Sequence, residues 1–184
     1  MIQVVIRSLA TLVLLSQVFL AAVLISFIAE KVFRKKCFGH IKKVFAPHGY
    51  HVAFLVSLTA TLGSLFFSEV AKFSPCILCW YQRILIYPQT IVLYMAILRK
   101  EKVLTPYLYV LNIVGAVIAA YHYFIQIFPK SSFINCEIGG AVSCTKTFTL
   151  YYGYITIPLM ALTAFILNIF FLSITEDKRK KMVK

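Results

Sequence analysis

Five stretches of this chain run for close to twenty residues almost without charge, and that decides the solvent in which it folds. They are Ser8–Ala29, His51–Ser68, Ile77–Leu98, Val103–Ile127 and Tyr154–Ile174; four contain no Asp, Glu, Lys or Arg, and the third contains only Arg83. A helix crossing a bilayer core needs about 20 apolar residues, so each stretch is long enough to span one. With 61% hydrophobic and 14% charged residues, the chain is too apolar for a soluble domain and too patterned for disorder. The expected fold is all-α and integral to the membrane. Short connections force sequential helices to lie antiparallel, which predicts an up-and-down four-helix bundle with an additional N-terminal transmembrane helix.

The net charge of +13 raises nucleic acid or an anionic surface as a partner, and the placement of the basic residues decides between them. Fourteen of the nineteen Lys and Arg fall in Lys31–Lys43, Arg99–Lys102 and Lys178–Lys184. All three clusters land on one side of the five-span arrangement. By the positive-inside rule that side is the cytoplasm, so the charge encodes topology and no nucleic-acid site is expected. The first span has its basic residues after the apolar run, with no small-x-small cleavage site, and so is expected to be a retained anchor with its N-terminus outside. Residues 1–50 then form an anchor and a basic cytoplasmic segment, 51–175 the core and 176–184 a basic cytoplasmic tail. The stretch Glu30–Tyr50 suits an amphipathic surface segment against anionic membrane lipid.

Four of the five cysteines, Cys76, Cys79, Cys136 and Cys144, belong to the opposite, outer face. Oxidised pairs persist outside the cytoplasm, so location and chemistry agree. Cys37 sits among the cytoplasmic basic residues and reads as a free thiol. In Ser74-Pro75-Cys76-Ile77-Leu78-Cys79-Trp80-Tyr81-Gln82-Arg83, Ser74 is the expected cap and Pro75 suits the first helical turn. Cys76 and Cys79 then share one face at the positive end of the helix dipole, where a thiolate is stabilised. Arg83 lies one turn beyond Cys79 and roughly 10 Å along the helix, a costly place for an arginine unless it serves a site.

The second pair lies in the outer loop, in Cys136-Glu137-Ile138-Gly139-Gly140-Ala141-Val142-Ser143-Cys144. If oxidised, so short a ring contributes only about 2–3 kcal/mol, a weak reason to keep it for stability alone. A loop staple and an exchangeable disulfide both fit, and four outer cysteines allow three full pairings. Thiol–disulfide exchange passes through mixed disulfides, so a loop pair can collect electrons from a soluble protein and hand them to a pair fixed at a helix end.

Cys-x-x-Cys-Trp-Tyr-Gln-Arg at the outer end of a span, followed one helical hairpin later by a loop cysteine pair, resembles the disulfide bond formation protein B (DsbB) family. The run Tyr152-Gly153-Tyr154-Ile155-Thr156-Ile157-Pro158 is most similar to its BdbC-like branch, and the resemblance covers His51–Ile174. It implies a quinone-dependent enzyme of the prokaryotic plasma membrane that re-oxidises an extracytoplasmic, DsbA-like thioredoxin-fold partner. Cys136 resembles the cysteine that forms the mixed disulfide with the partner, and Cys144 its loop mate. Cys76 resembles the acceptor of the loop's electrons, and Cys79 the quinone-facing thiolate. Arg83 matches the arginine supporting that thiolate and the quinone, ubiquinone or menaquinone. His122 corresponds by position to a quinone-proximal histidine, and Gln82 is a further candidate contact.

Three other readings compete. A zinc site would use Cys-x-x-Cys, yet Cys136 and Cys144 form no second tight pair, so no metal is expected. A vitamin K epoxide reductase-like enzyme would carry its loop cysteines before the Cys-x-x-Cys helix, the reverse of the order here. A transporter or assembly factor with structural loop disulfides would spread polar residues along several helices, whereas here the ionisable signal gathers near one end.

Overall fold

The computed structural model describes residues 2–33, 37–100, 103–129, 143–145 and 147–183, with side chains described except at 33–38, 40 and 177–183. Among them are the helices α1 (Ile2–Phe33), α2 (Cys37–Phe45), α3 (Gly49–Leu65), α4 (Ile77–Arg99), α5 (Thr105–Ile127) and α6 (Ile157–Val183). A π-helical turn, Phe66–Val70, prolongs α3. The described residues contain no strand, and the chain is an all-α membrane protein.

Among the described residues, four stretches are long and apolar enough to cross a bilayer: Ile2–Val32, Gly49–Val70, Thr105–Ile127 and Ile157–Glu176. The third expected span, α4, has 23 residues but carries Gln82, Arg83 and Gln89, which lower its hydropathy. Those polar groups are turned inward. Gln82 and Gln89 are buried, and α4 packs between α3 and α5. Gln89 accepts a hydrogen bond from Asn112 of α5 at 2.6 Å, and Asn168 of α6 donates to Ser57 of α3 at 2.9 Å. Such bonds hold helices together where lipid offers no hydrophobic drive between them. Pro88 lies inside α4, which nevertheless runs unbroken from Ile77 to Arg99.

Antiparallel order is visible in which residues meet. At one end Tyr50 of α3 bonds Thr105 of α5, and Gly49 lies against Phe171 and Thr175 of α6. At the other end Cys76 at the start of α4 meets His122 near the end of α5, and Phe73 stacks on Phe148, which precedes α6. Helices α3 to α6 therefore form the up-and-down bundle. Its core is built of separate clusters, with Tyr50, Leu93 and Phe171 at one end, Ile86 and Phe165 in another, and Leu78 and Ile125 beside the cysteines.

Helix α1 packs on α6 and α2. Phe19 stacks on Phe171 and meets the edge of Phe45, while at the cysteine end Tyr151 and Tyr152 bond Gln3 and Thr11. The N-terminus of α1 thus shares an end with Cys76. Between α1 and α3, residues expected to form an amphipathic surface segment make α2, which tucks Phe45 against the core and leaves Lys43 exposed.

Candidate functional site

The start of α4 differs from the sequence expectation by two residues. Cys76, not Ser74, occupies the cap position, with extended backbone (φ −77°, ψ 174°), and its carbonyl accepts the Trp80 N–H. Pro75 stays outside the helix, consistent with proline's missing N–H and with the aromatic packing of the preceding segment, in which Phe67, Phe73 and Phe148 form a stacked column. The chain reaches this segment through Lys72, whose left-handed backbone (φ 56°) ends the π-helical turn.

Cys76 and Cys79 are both free thiols with their sulfurs 3.2 Å apart, sharing a hydrogen bond. Cys76 is buried and Cys79 half-buried. Across from them, His122 is fully buried, with Nε2 3.6 Å from Cys76 Sγ and 3.2 Å from the Cys144 carbonyl oxygen. Gln82 Nε2 donates to His122 Nδ1 at 3.0 Å. A nitrogen that accepts carries no proton in the neutral ring, so Nε2 holds it and faces the sulfur and the carbonyl as a donor. Cys76 lies just ahead of the span, and its thiol is held below the usual range. The hydrogen bond shared with Cys79 is the main cause, burial opposes it, and His122 adds to the lowering.

The ligand atoms of Cys76, Cys79 and His122 lie within 4.8 Å of one another, close enough to grip a thiophilic cation. The ring's lone pair, however, is taken up by Gln82. The donor set as built suits proton and thiolate chemistry better than coordination, in which the imidazole must offer a lone pair to the metal.

Cys79 is shared between two spaces. On one side it joins Cys76 and His122 in a small crevice beneath Ser143, Phe148 and Thr156. On the other it lines, with Gln82 and Arg83, an apolar cavity of about 170 Å³ between α3, α4, α6 and α1. Arg83 is fixed on the cavity wall. Its Nε donates to Ser64 Oγ and its Nη2 to the Ser64 carbonyl, each at 3.0 Å, and its guanidinium lies 5.3 Å from the centre of the Trp80 ring. Tyr87, one turn further, also donates to Ser64 Oγ at 3.2 Å. Sequence reading missed Ser64, which lies nineteen residues before Arg83 on a different helix and is found only once α3 is docked on α4.

Of the seven site residues expected from sequence, Cys76, Cys79, Gln82, Arg83 and His122 converge here. Cys144 is buried, disulfide-bonded and joined to His122 through its carbonyl. Cys136 lies outside the described residues.

A multi-pass helical bundle that presents a free dithiol at a helix start, next to a disulfide-bonded cysteine and an oriented imidazole, defines a membrane protein of thiol–disulfide exchange. Comparison with known proteins gives that class its family. The model of the disulfide bond formation protein DsbB family matches residues 48–174, and the chain belongs to that family. It is 40% identical over 131 residues to disulfide bond formation protein C of Bacillus subtilis strain 168, covering 71% of this chain and 94% of the relative. It is also 45% identical over 114 residues to the SPbeta prophage-derived disulfide bond formation protein B of that strain, covering 62% of this chain and 76% of the relative. A probable disulfide formation protein C 2 of Bacillus anthracis is 37% identical over 134 residues, 72% of this chain and 94% of the relative. No solved structure matches.

Proposed function

We propose that this protein is a thiol:quinone oxidoreductase of the prokaryotic plasma membrane. It re-oxidises an extracytoplasmic thioredoxin-fold partner, passing electrons from a loop disulfide, Cys136–Cys144, through Cys76 and Cys79 to ubiquinone or menaquinone. The observation that carries this reading is the double exposure of Cys79, to the sulfur crevice on one side and to the apolar cavity on the other.

The exchange balances as two successive displacements. The partner's dithiol opens the loop disulfide through a mixed disulfide on Cys136 and leaves oxidised, with both loop sulfurs reduced. A loop thiolate then attacks Cys76 in the oxidised inner pair and releases Cys79. The second loop sulfur closes the loop disulfide and releases Cys76. His122 offers its Nε2 proton toward that departing sulfur, and a leaving thiolate of lowered pKa departs faster. With Cys144 oxidised and the inner pair reduced, the described arrangement corresponds to the state reached after this transfer.

The cavity fits a quinone. An apolar cavity of about 150 Å³ is known to hold benzene, so one of this size admits a six-membered ring. Cys79 and Arg83 would hold the head group, Arg83 as a fixed donor whose charge is supported by Ser64 and Trp80. A bound quinone supplies a two-electron, two-proton acceptor. The basic residues near Lys31, at Arg99–Lys100 and in the C-terminal part of α6 lie at the end of the bundle opposite the cysteines, which supports an extracytoplasmic site.

The test is quinone reduction by the purified full chain in lipid nanodiscs, fed by a reduced thioredoxin-fold protein or a small dithiol. Cys79→Ser should abolish it with expression intact. Cys136→Ser should block the protein donor while the small dithiol still works. An unmodified protein that leaves quinone untouched would instead be a membrane protein whose disulfides only staple its loops.

A further inference from the structure

The family match begins at residue 48, so α1 precedes everything it covers. Relatives whose length is 94% used in aligning with 131–134 residues have little chain left for a counterpart. Yet α1 is more than a tether. Leu9, Leu12, Val13 and Ser16 all line the apolar cavity that Cys79 and Arg83 face. Their spacing of three, four and seven residues is one face of a helix. Leu9 lies against Gly63, in van der Waals reach of where a β-carbon would stand (3.5 Å). The opposite face, with Val4, Leu15 and Val18, is at least 60% exposed and suits lipid.

Polar bonds fix α1 in that position. Gln17 donates to Thr163 of α6 at 3.2 Å and accepts from the Tyr154 hydroxyl at 2.9 Å. Thr11 pairs with the Tyr152 hydroxyl at 2.9 Å, and Gln3 accepts from Tyr151 at 2.7 Å. All three tyrosines sit in or beside the turn closed between Tyr151 and Ile155, immediately before α6. A helix needed only to anchor the chain requires no such register. One that closes a cavity does, because a rotation of one residue, about 100°, would carry Leu9, Val13 and Ser16 off the cavity wall.

We infer that α1 is part of the acceptor site. Its Leu9–Val13–Ser16 face is the wall that holds an isoprenoid quinone against Cys79 and Arg83, and it sets the affinity for that carrier. This rests on the quinone reading above and adds to it a determinant outside the portion shared with the family.

A photoreactive azidoquinone, applied in the dark to the full chain in nanodiscs and then illuminated, tests it directly. Label is expected on the α1 peptide, displaced by excess unlabelled quinone. Val13→Trp, which fills the cavity from the α1 side, should raise the KM for quinone roughly tenfold, a 1.4 kcal/mol effect, and remove the α1 label. Reduction of the inner disulfide by a dithiol without quinone should keep its rate, and Val18→Trp, on the lipid face, should change neither readout. Ser16→Leu is the gentler second variant and should shift KM in the same direction. Competable label confined to α3, α4 and α6, with KM unmoved in both cavity variants, overturns the inference while leaving quinone reduction standing. No quinone reduction or competable labelling by the unmodified protein overturns both.

Discussion

Gln82 Nε2 and His122 Nδ1 lie 3.0 Å apart, and this one bond decides which nitrogen of a buried imidazole faces sulfur. With Nδ1 accepting, the ring directs its Nε2 proton at Cys76 and at the Cys144 carbonyl. In the proposed exchange between two cysteine pairs, Gln82 is thereby a positioning residue, about one helix turn from Cys79.

Gln82→Leu removes the donor and frees the ring to swap tautomers. A net hydrogen bond of about 0.5–1.5 kcal/mol is at stake, equivalent to roughly 10–30 mV for a two-electron couple. The inner pair should become less oxidising by that amount. Gln82→Glu, which accepts from Nδ1–H and favours the imidazolium, should move it the other way. Equilibration of Cys76–Cys79 with a dithiol redox buffer reads both. Equal potentials in the two variants would count against the orienting role.

The anchorage of Arg83 on Ser64 gives a second prediction. Ser64→Ala removes the acceptor for Nε but leaves the carbonyl that receives Nη2, so the guanidinium loosens without being released. Losing one such bond, about 1 kcal/mol, should raise the KM for quinone about fivefold with little change in kcat. Arg83→His should raise it further. A fall in dithiol oxidation at unchanged KM would place the role of Ser64 elsewhere.

Those two residues show what the sequence carries and what it does not. Arg83 announces itself, because a lone charge in an apolar run must be satisfied by something. Its partner does not, since a serine in a helix looks the same whether it faces lipid or a guanidinium. The helices were readable from the length of their apolar runs, and α4 could be assigned despite its polar residues because Cys76-x-x-Cys79 marked its start. The cap at Cys76 was misplaced by two residues because Ser74 and Pro75 are good local signals, overridden by packing of Phe73 between Phe67 and Phe148. The docking of α1 was the least legible. Its apolar composition is the same on every face, and only Gln17 and the tyrosines before α6 fix its rotation.

Close helix contact yields a stability prediction. A β-carbon at Gly115 would collide with the ring of Phe165, which is 1% exposed and has nowhere to turn. Overpacking of this kind costs about 1–3 kcal/mol, so Gly115→Ala should lower the unfolding midpoint in detergent. Gly39→Ala, where a β-carbon meets nothing within 4 Å, should be neutral or slightly stabilising. Equal midpoints for the two would show that α5 and α6 are less closely packed than described.

The lowered pKa of Cys76 predicts how the reduced protein responds to pH. The hydrogen bond shared with Cys79 is the main cause, and His122 adds to it. In the reduced, unfolded chain Cys76 is an ordinary thiol, so the folded state binds fewer protons between its own pKa and the unfolded one. Stability from this group is fully present above the unfolded pKa and is lost as pH falls through the folded pKa. Ultraviolet thiolate absorbance of the reduced protein should therefore persist to pH values below those at which an ordinary cysteine is protonated. Cys79→Ala, which removes the leading hydrogen-bond partner, should raise the midpoint strongly, and His122→Ala should raise it less. Because only the reduced form gains from the thiolate, the same variants should make any disulfide formed by Cys76 harder to reduce. A titration midpoint in the ordinary thiol range, unmoved by either substitution, would detach the proton shared between these sulfurs from the direction of electron flow.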